Sequence, residues 1–501
     1  MCLYLLILLP CLGGIFSWIS EKINKKIPFW ISLFFIFLMF IVVLDIFFKN
    51  YLFTDYSINL WDLEYCIPWI KNLGVSFHLG IDRISFLMIM LTIFLSFISI
   101  LLTWNENIKK IGFFYFCIML IISSIMGIFL SLDLFLFFIF WEIIIIPTYF
   151  LSIFYGRKKI FSLKQLNSSN EYLIYSQISG IILLCSILGL VTNYYFQYHI
   201  WTFDYNLLKN LILDRKTEFF LMFGFFISFI IKVPLIPFHS WFPNFHRNTS
   251  VTGSFDLIGI IIKVAIYSIL RFNIFLFPKS SLYFSNYFCL FFLLSIFYSI
   301  FLAFSQNSIK KIIAYTSISH MSFILISIYS GSFISYQGII LQIVSYSIST
   351  SALIILTKIL YKNFKTDNFK KMSGLWKIMN FVPGFFLFFV MSNLGIPGTG
   401  NFVGEFLMLL GSFKFFPIII SFSMIGLIFL LICFLNIFHK IFYGPCNVSF
   451  ISCQISKLEF FILLILSFFI IFIGLYPNII LQFVNSSMLH ISERMPHIIL
   501  N

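Results

Sequence analysis

Long apolar runs separated by short polar clusters recur from one end of the chain to the other. A helix that crosses a bilayer needs about 20 predominantly apolar residues. On that rule the pattern predicts about fourteen spans, at 2–20, 28–48, 84–104, 112–130, 132–154, 172–196, 217–241, 252–272, 283–303, 309–330, 336–360, 380–412, 415–436 and 458–480. Two of these runs are interrupted. The seventh carries Lys232-Val233-Pro234-Leu235-Ile236-Pro237, whose prolines remove backbone donors and break a helix. The twelfth carries Gly395-Ile396-Pro397-Gly398-Thr399-Gly400. Irregular backbone at membrane depth is tolerated only where protein buries it or water lines it. An interrupted span in each half of a chain points to a transporter built from inverted repeats. The two interruptions lie five spans apart, which predicts repeats of spans 4–8 and 9–13. The fold class expected is therefore an all-α polytopic membrane protein with two inverted five-helix repeats and discontinuous spans 7 and 12. Its segments are the first three spans (1–111), the first repeat (112–282), the second repeat (283–436), and a loop with the last span (437–501).

Composition agrees with the pattern. The 501 residues are 61% hydrophobic and 10% charged, against about 25% charged in soluble domains. A soluble chain this apolar has too little polar surface to cover itself, whereas lipid solvates apolar faces directly. The 72 phenylalanines reflect compositional drift and carry no chemistry of their own. The net charge of +14 resolves into topology. Loops after odd spans hold Lys22, Lys25, Lys26, Lys109, Lys110, Arg157, Lys158, Lys159, Lys164, Arg247, Lys310, Lys311, Lys362, Lys365, Lys370, Lys371, Lys377, Lys440 and Lys457. Loops after even spans hold fewer bases and the acids Asp55, Asp62, Glu64, Asp204, Asp214 and Glu218. The positive-inside rule then puts the odd loops in the cytoplasm and both termini outside. Because the bases are scattered over separate loops on one face, nucleic acid is not an expected partner.

The nine cysteines form no framework. Cys2, Cys11, Cys117, Cys185, Cys289 and Cys433 lie in apolar runs and read as small hydrophobes. Cys446 and Cys453 share a loop, but their spacing suits neither zinc nor an iron–sulfur cluster. No metal site is expected. Gly398, Gly400 and Gly404 lack the spacing and the preceding strand of a dinucleotide fingerprint.

Charges inside spans are the informative residues, because each costs about 2.5–3.5 kcal/mol to insert at the membrane centre. Glu142 lies in the fifth span, Lys232 in the middle of the seventh, Lys263 in the middle of the eighth, His320 in the tenth and Glu405 in the twelfth. Any one of them reads equally well as half of a structural ion pair. Five on five helices point to a path for ions. Asp82, Asp133 and Asp256 sit beside helix ends and read as anchors, and Lys358 is close enough to a helix end to snorkel. His239 and His246 bracket the end of the seventh span, as loop ties or as a proton entry.

Four stretches carry a family resemblance: Phe140-Trp141-Glu142, the run 232–241 from Lys232 through His239 to Trp241, the run 309–321 ending in His320-Met321, and the run 394–406 ending in Glu405-Phe406. Through these the chain resembles the subunit M family of bacterial NADH–quinone oxidoreductase (complex I), the counterparts of mitochondrial NADH dehydrogenase subunit 4. The resemblance covers nearly the whole length. It implies fourteen helices with both ends on the outer side of a bacterial inner membrane, and proton translocation coupled to NADH oxidation and quinone reduction in other subunits. It implies partners among the other membrane subunits, especially the antiporter-like chains L and N. It places NADH, FMN, iron–sulfur clusters and quinone on partner subunits, with no cofactor in this chain. Residue by residue, it makes Glu142 and Lys232 a carboxylate–lysine pair, Lys263 the central lysine, Glu405 the exit-side glutamate, and His320 a member of the hydrophilic axis. Tyr346 stands where a second axis histidine is common. Further departures are Asn244, Phe245, Thr249, Ser250 and Val251 in the loop after the seventh span, and Glu171 where a lysine is common.

The physical logic of the pair is independent of the family. A lysine beside a carboxylate holds its proton, and a lysine parted from it in an apolar interior releases it. Pairing and parting of Glu142 and Lys232 would gate a proton that Lys263 and Glu405 relay, through waters held by His320, Tyr346 and hydroxyls. Two alternative readings are a standalone cation/proton antiporter subunit and the membrane subunit of a hydrogenase-type complex. Glu405 argues against the antiporter, whose family usually carries lysine there. A chain that has lost pumping and kept only a structural role is a third, to which Tyr346 lends some weight.

Overall fold

A computed structural model describes residues 3–50, 61–104, 106, 108–156, 163–249, 260–445 and 455–494. Cys2, Cys446, Cys453, Asp55, Arg157, Lys158, Lys159, Ser250, Val251, Asp256 and the start of the eighth span lie outside the described residues. The described chain is mostly helical. Eleven of its helices are long and apolar enough to cross a membrane, and two shorter apolar helices, Val382–Asn393 and Gly400–Phe413, accompany them.

The chain forms two compact units. The first comprises Met1–Val233, Ile260–Tyr283 and Leu489–Pro496. Its helices include Ile111–Leu130, the pair Leu134–Ile143 and Ile145–Phe154, Leu163–Tyr198, Arg215–Lys232 and Ile260–Ser268. Lys232 ends its helix instead of standing in the middle of a span. Pro234 and Pro237 follow it, proline cannot donate to the ladder, and the residue before a proline avoids the α conformation. The next helix, Trp241–Asn248, begins only after Ser240. A π-helical turn at Ile269–Asn273 interrupts the eighth span. It sets Arg271 in a buried ion pair, Nη2 to Asp82 Oδ2 at 3.3 Å, with the guanidinium 3.9 Å from the Trp61 ring centre.

The hydrophobic pattern gave no sign of an antiparallel hairpin, β1 (Leu63–Ile70) and β2 (Val75–Ile81). Its turn needs Gly74, which takes φ +67° and whose missing Cβ leaves room for the Trp201 carbonyl. A lone two-stranded hairpin is marginal in water, so docking holds it. Asp133 caps the Leu134–Ile143 helix by accepting from Phe135 N and Leu136 N, and also accepts from Ser76 N and Ser76 Oγ on β2. At the ordinary net value of about 1 kcal/mol per bond, this one carboxylate adds to the pairing of the strands and ties β2 to the helix it caps. Asp82 likewise caps the Arg83–Leu101 helix through a capping box with Ser85. Both aspartates thus serve as the helix anchors that the sequence suggested.

His78 on β2 is buried between two carboxylates, Nδ1 3.1 Å from Asp204 Oδ2 and Nε2 3.4 Å from Glu64 Oε2. Burial pulls its pKa down, but the hydrogen bond and charge of Asp204, then Glu64, outweigh that and raise it above 6.5. A raised folded value means that the protonated imidazole contributes its full stabilisation below the unfolded pKa of about 6.5, and loses it as pH rises through the folded value. We expect hydrogen-exchange protection of β1 and β2, corrected for intrinsic rates, to be higher at about pH 5.5 than at about pH 8.5. The difference should vanish in His78→Gln. Equal protection of the native hairpin at both pH values would remove the histidine from its docking.

The second unit comprises Pro234–Gly259, Phe284–Met488 and His497–Asn501. Its centre is the helix Phe333–Phe364, whose most apolar window is wholly buried, packed against Ile309–Tyr329 and Gly400–Phe413. Lys457–Leu475 also packs on Phe333–Phe364, and Pro417–Phe442 packs on Gly400–Phe413. The twelfth span is broken between Asn393 and Gly400, where Gly395 (φ +68°) and Gly398 (φ +93°) adopt backbone open chiefly to glycine. Arg247, at the end of Trp241–Asn248, donates to Asp367 Oδ2 at 2.9 Å, and Ser308 Oγ donates to the same oxygen at 2.6 Å. A final helix, Asn478–Arg494, extends well past the end expected for the last span.

Candidate functional site

The sequence-derived residues fall into two constellations, one in each unit. In the first unit, the break after Lys232 leaves its ammonium at a helix C-terminus, the negative end of the peptide dipoles. Lys232 is 3% exposed. Its Nζ donates to the Trp141 carbonyl at 2.9 Å and lies 3.6 Å from the Trp141 ring centre. Glu142 is the next residue, within Coulombic reach of Lys232. The two side chains do not bond to each other. Glu142 Oε2 accepts instead from Gln177 Nε2 at 3.2 Å, and Glu142 Oε1 is buried without a hydrogen-bond partner among the described residues. Trp141 is itself held: its Nε1 donates to Ser179 Oγ at 3.4 Å, and Ser179 Oγ donates to the Ser228 carbonyl at 2.9 Å. Lys263 is 4% exposed in Ile260–Ser268, a helix that packs on Arg215–Lys232.

In the second unit, the break before Gly400 gives Glu405 its surroundings. Glu405 is 6% exposed in the second turn of Gly400–Phe413. Its Oε1 accepts from Gln342 Nε2 at 3.0 Å. The same oxygen lies 3.4 Å from His320 Nδ1, close enough for an ion pair but outside hydrogen-bond alignment, so both ring nitrogens lack a hydrogen-bond partner among the described residues. The other carboxylate oxygen occupies the space a Cβ on Gly395 would take. The His320 ring lies tilted against Tyr346, 4.7 Å between ring centres, and the Tyr346 hydroxyl donates to Ser317 Oγ at 3.1 Å. Glu405, His320 and Tyr346, named from sequence on three separate helices, are thus brought into one buried polar cluster with Gln342 and Ser317. Beside them, Asn401 Nδ2 donates to the Ser392 carbonyl at 2.9 Å, to Ser349 Oγ at 3.2 Å and to Asn393 Oδ1 at 3.3 Å, and Ser349 Oγ also bonds Asn393 Oδ1. This network ties the two halves of the broken span together.

Sequence reasoning missed Gln177, Gln342, Asn393 and Asn401. Carboxamides inside apolar spans were the available signal, weaker than a formal charge. Buried polar groups need partners, and here the amides supply them to the charges. What both constellations can do is hold a proton on a carboxylate, lysine or imidazole and pass it across a short gap. His320, whose two ring nitrogens make no hydrogen bond among the described residues, has the geometry of such a relay.

Residues 131–433 match the family model described as NADH:quinone oxidoreductase/Mrp antiporter, transmembrane. The chain is 47% identical to NADH-quinone oxidoreductase subunit M of Buchnera aphidicola subsp. Schizaphis graminum, over 96% of this chain and 97% of that one. It is 39% identical to the protein of the same name in Escherichia coli K12, over 97% of each. The fold matches a chain of respiratory complex I from Thermus thermophilus with TM-score 0.87 at 22% identity, covering 99% of this chain and 100% of that one. A chain of the Mrp complex from Dietzia sp. matches with TM-score 0.80 at 17% identity, covering 98% and 99%. The antiporter alternative is not favoured, since these sequence relatives are subunit M proteins. The chain belongs to the NADH:quinone oxidoreductase/Mrp antiporter transmembrane family and, within it, to the NADH-quinone oxidoreductase subunit M proteins.

Proposed function

We propose that this chain is a membrane-arm subunit of NADH–quinone oxidoreductase that moves protons across a bacterial inner membrane, driven by NADH oxidation and quinone reduction in other subunits. The observation that carries the reading is the pairing of a buried titratable constellation with a helix break in each unit: Glu142 and Lys232 where Arg215–Lys232 ends, and Glu405 with His320 beside the break before Gly400. Burying a charge away from water is expensive, and nothing in packing alone calls for it twice beside interrupted helices. Glu142 and Lys232 form the switch, Lys263 the central carrier, and Glu405 the exit group, with His320 and Tyr346 on the axis between carriers. The full bundle has fourteen spans, spans 4–8 and 9–13 being inverted repeats, within segments 1–111, 112–282, 283–436 and 437–501. The basic loops face the cytoplasm and both termini the periplasm. The antiporter-like chains L and N are its neighbours, and NADH, FMN, the iron–sulfur clusters and quinone belong to partner subunits.

The test is Lys263→Met in the assembled complex, reconstituted into proteoliposomes. We expect NADH-driven proton translocation to fall by about tenfold or more, below the 10²–10⁴ range of a full acid–base contribution because parallel carriers remain. Quinone-linked NADH oxidation should fall with it if coupling is tight. Wild-type pumping in an assembled Lys263→Met complex would remove the central carrier and with it the continuity of the proposed path.

A further inference from the structure

Glu142 does not rest on Lys232, and what it rests on is specific. The helix Leu163–Tyr198 presents Gln177 and Gly180, three residues apart and so on one helix face. Gln177 Nε2 donates to Oε2 at 3.2 Å. Oε1 fills the space above Gly180, where a Cβ would overlap it. Gly180 lies in mid-helix with an ordinary φ, so chain conformation does not call for glycine there. Glycine in a helix interior costs about 1 kcal/mol relative to alanine, and here it leaves a niche that a carboxylate oxygen occupies. Lys232 is separately provided for by the Trp141 carbonyl at 2.9 Å and the Trp141 ring. Ser179, between Gln177 and Gly180, steadies that tryptophan and bonds the Ser228 carbonyl of the lysine's own helix. One helix therefore organises the parted state of both partners.

We propose that Gly180 and Gln177 form a second seat for the Glu142 carboxylate, alternative to Lys232, so that Leu163–Tyr198 sets the balance between the paired and parted states of the switch. This rests on the reading of Glu142 and Lys232 as that switch. A carboxylate with two seats moves between them by side-chain rotation, and it pairs directly with the lysine only when it leaves Gln177 and Gly180. Both are positioning residues: they act on the proton through Glu142. Gln177 is exposed on the surface of this chain, so the second seat lies at its edge, open to whatever covers that helix in the complex.

The experiment uses the assembled complex with Gln177→Leu and, separately, Gly180→Ala. Gln177→Leu keeps the volume and removes the donor. A hydrogen bond to a charged group is worth enough that its loss should shift the balance between seats about tenfold or more toward Lys232. Gly180→Ala closes the niche with the same sign. The carboxylate stretching band of Glu142, identified as the band missing in Glu142→Gln, should move in both variants, and the pH profile of proton translocation should be displaced, since the pairing sets which protonation state Lys232 holds. If Gly180→Ala fails to assemble, Gln177→Leu carries the decision. An unmoved band and an unchanged pH profile in Gln177→Leu would overturn the second seat, provided Glu142→Gln abolishes pumping. Intact pumping in Glu142→Gln would overturn the switch itself and the seat with it.

Discussion

Replacing Lys232 by methionine should lower NADH-driven proton translocation on the order of a hundredfold, the scale of losing a proton-transfer group outright, while leaving the complex assembled. Methionine has nearly the length of lysine and fills irregular apolar gaps. The variant gives up the hydrogen bond to the Trp141 carbonyl and the contact with its ring, and it also gives up the cost of desolvating an ammonium, so the two changes offset. The sharper variant is Lys232→Arg. A guanidinium keeps the positive charge and the attraction to Glu142 and can still stack on Trp141, but it does not release its proton in a protein. If Lys232 acts by titrating, arginine should fail as completely as methionine. If it acts only as a fixed charge, arginine should pump near the native rate. Proton translocation by proteoliposomes containing each variant, measured beside NADH oxidation, separates the two, and native pumping in Lys232→Arg would sink the switch.

The sequence made the charges and the breaks legible for a physical reason. A formal charge in an apolar run costs enough to stand out at a single position, and proline and glycine interrupt a helix through the backbone itself. Glu142, Lys232, Lys263, His320 and Glu405 therefore announced themselves singly, and both interruptions fell at the expected places. Other features carried no such signal. Strand β1 has an irregular exposure pattern and contains Pro68, so no period-two alternation marks it. It holds by pairing with β2, which Asp133 and Asp204 reach from distant positions in the chain. The π turn at Ile269–Asn273 has no sequence signature, although it sets where Arg271 points. Lys232 read as mid-span because hydropathy continues through the prolines, whereas the hydrogen-bond ladder does not. Gly180 was silent because an absent side chain is informative only once its neighbour is known.

Glu405→Gln should be as severe as Lys232→Met, with a loss in proton translocation also on the order of a hundredfold. Glutamine keeps the shape, and its amide oxygen still accepts from Gln342 Nε2, the 3.0 Å bond that orients the native carboxylate. What glutamine removes is the ability to take up and release a proton beside His320, 3.4 Å away. The packing cost should be small, because glutamine is isosteric with glutamate and its end group can occupy the same space beside Gly395. Assembly of the complex should therefore survive, and loss of pumping would report chemistry. Glu405→Asp restores titration but draws the carboxylate back by one methylene. It should weaken the bond to Gln342 and widen the gap to His320, and so recover part of the rate. The order expected is native, then Asp, then Gln, for proton translocation and for the NADH oxidation tied to it. Full coupled pumping in the Gln variant would make Glu405 a structural residue. The exit would then have to lie at another titratable group of the second unit, and the cluster of His320, Tyr346 and Gln342 would be a packing device around a buried charge.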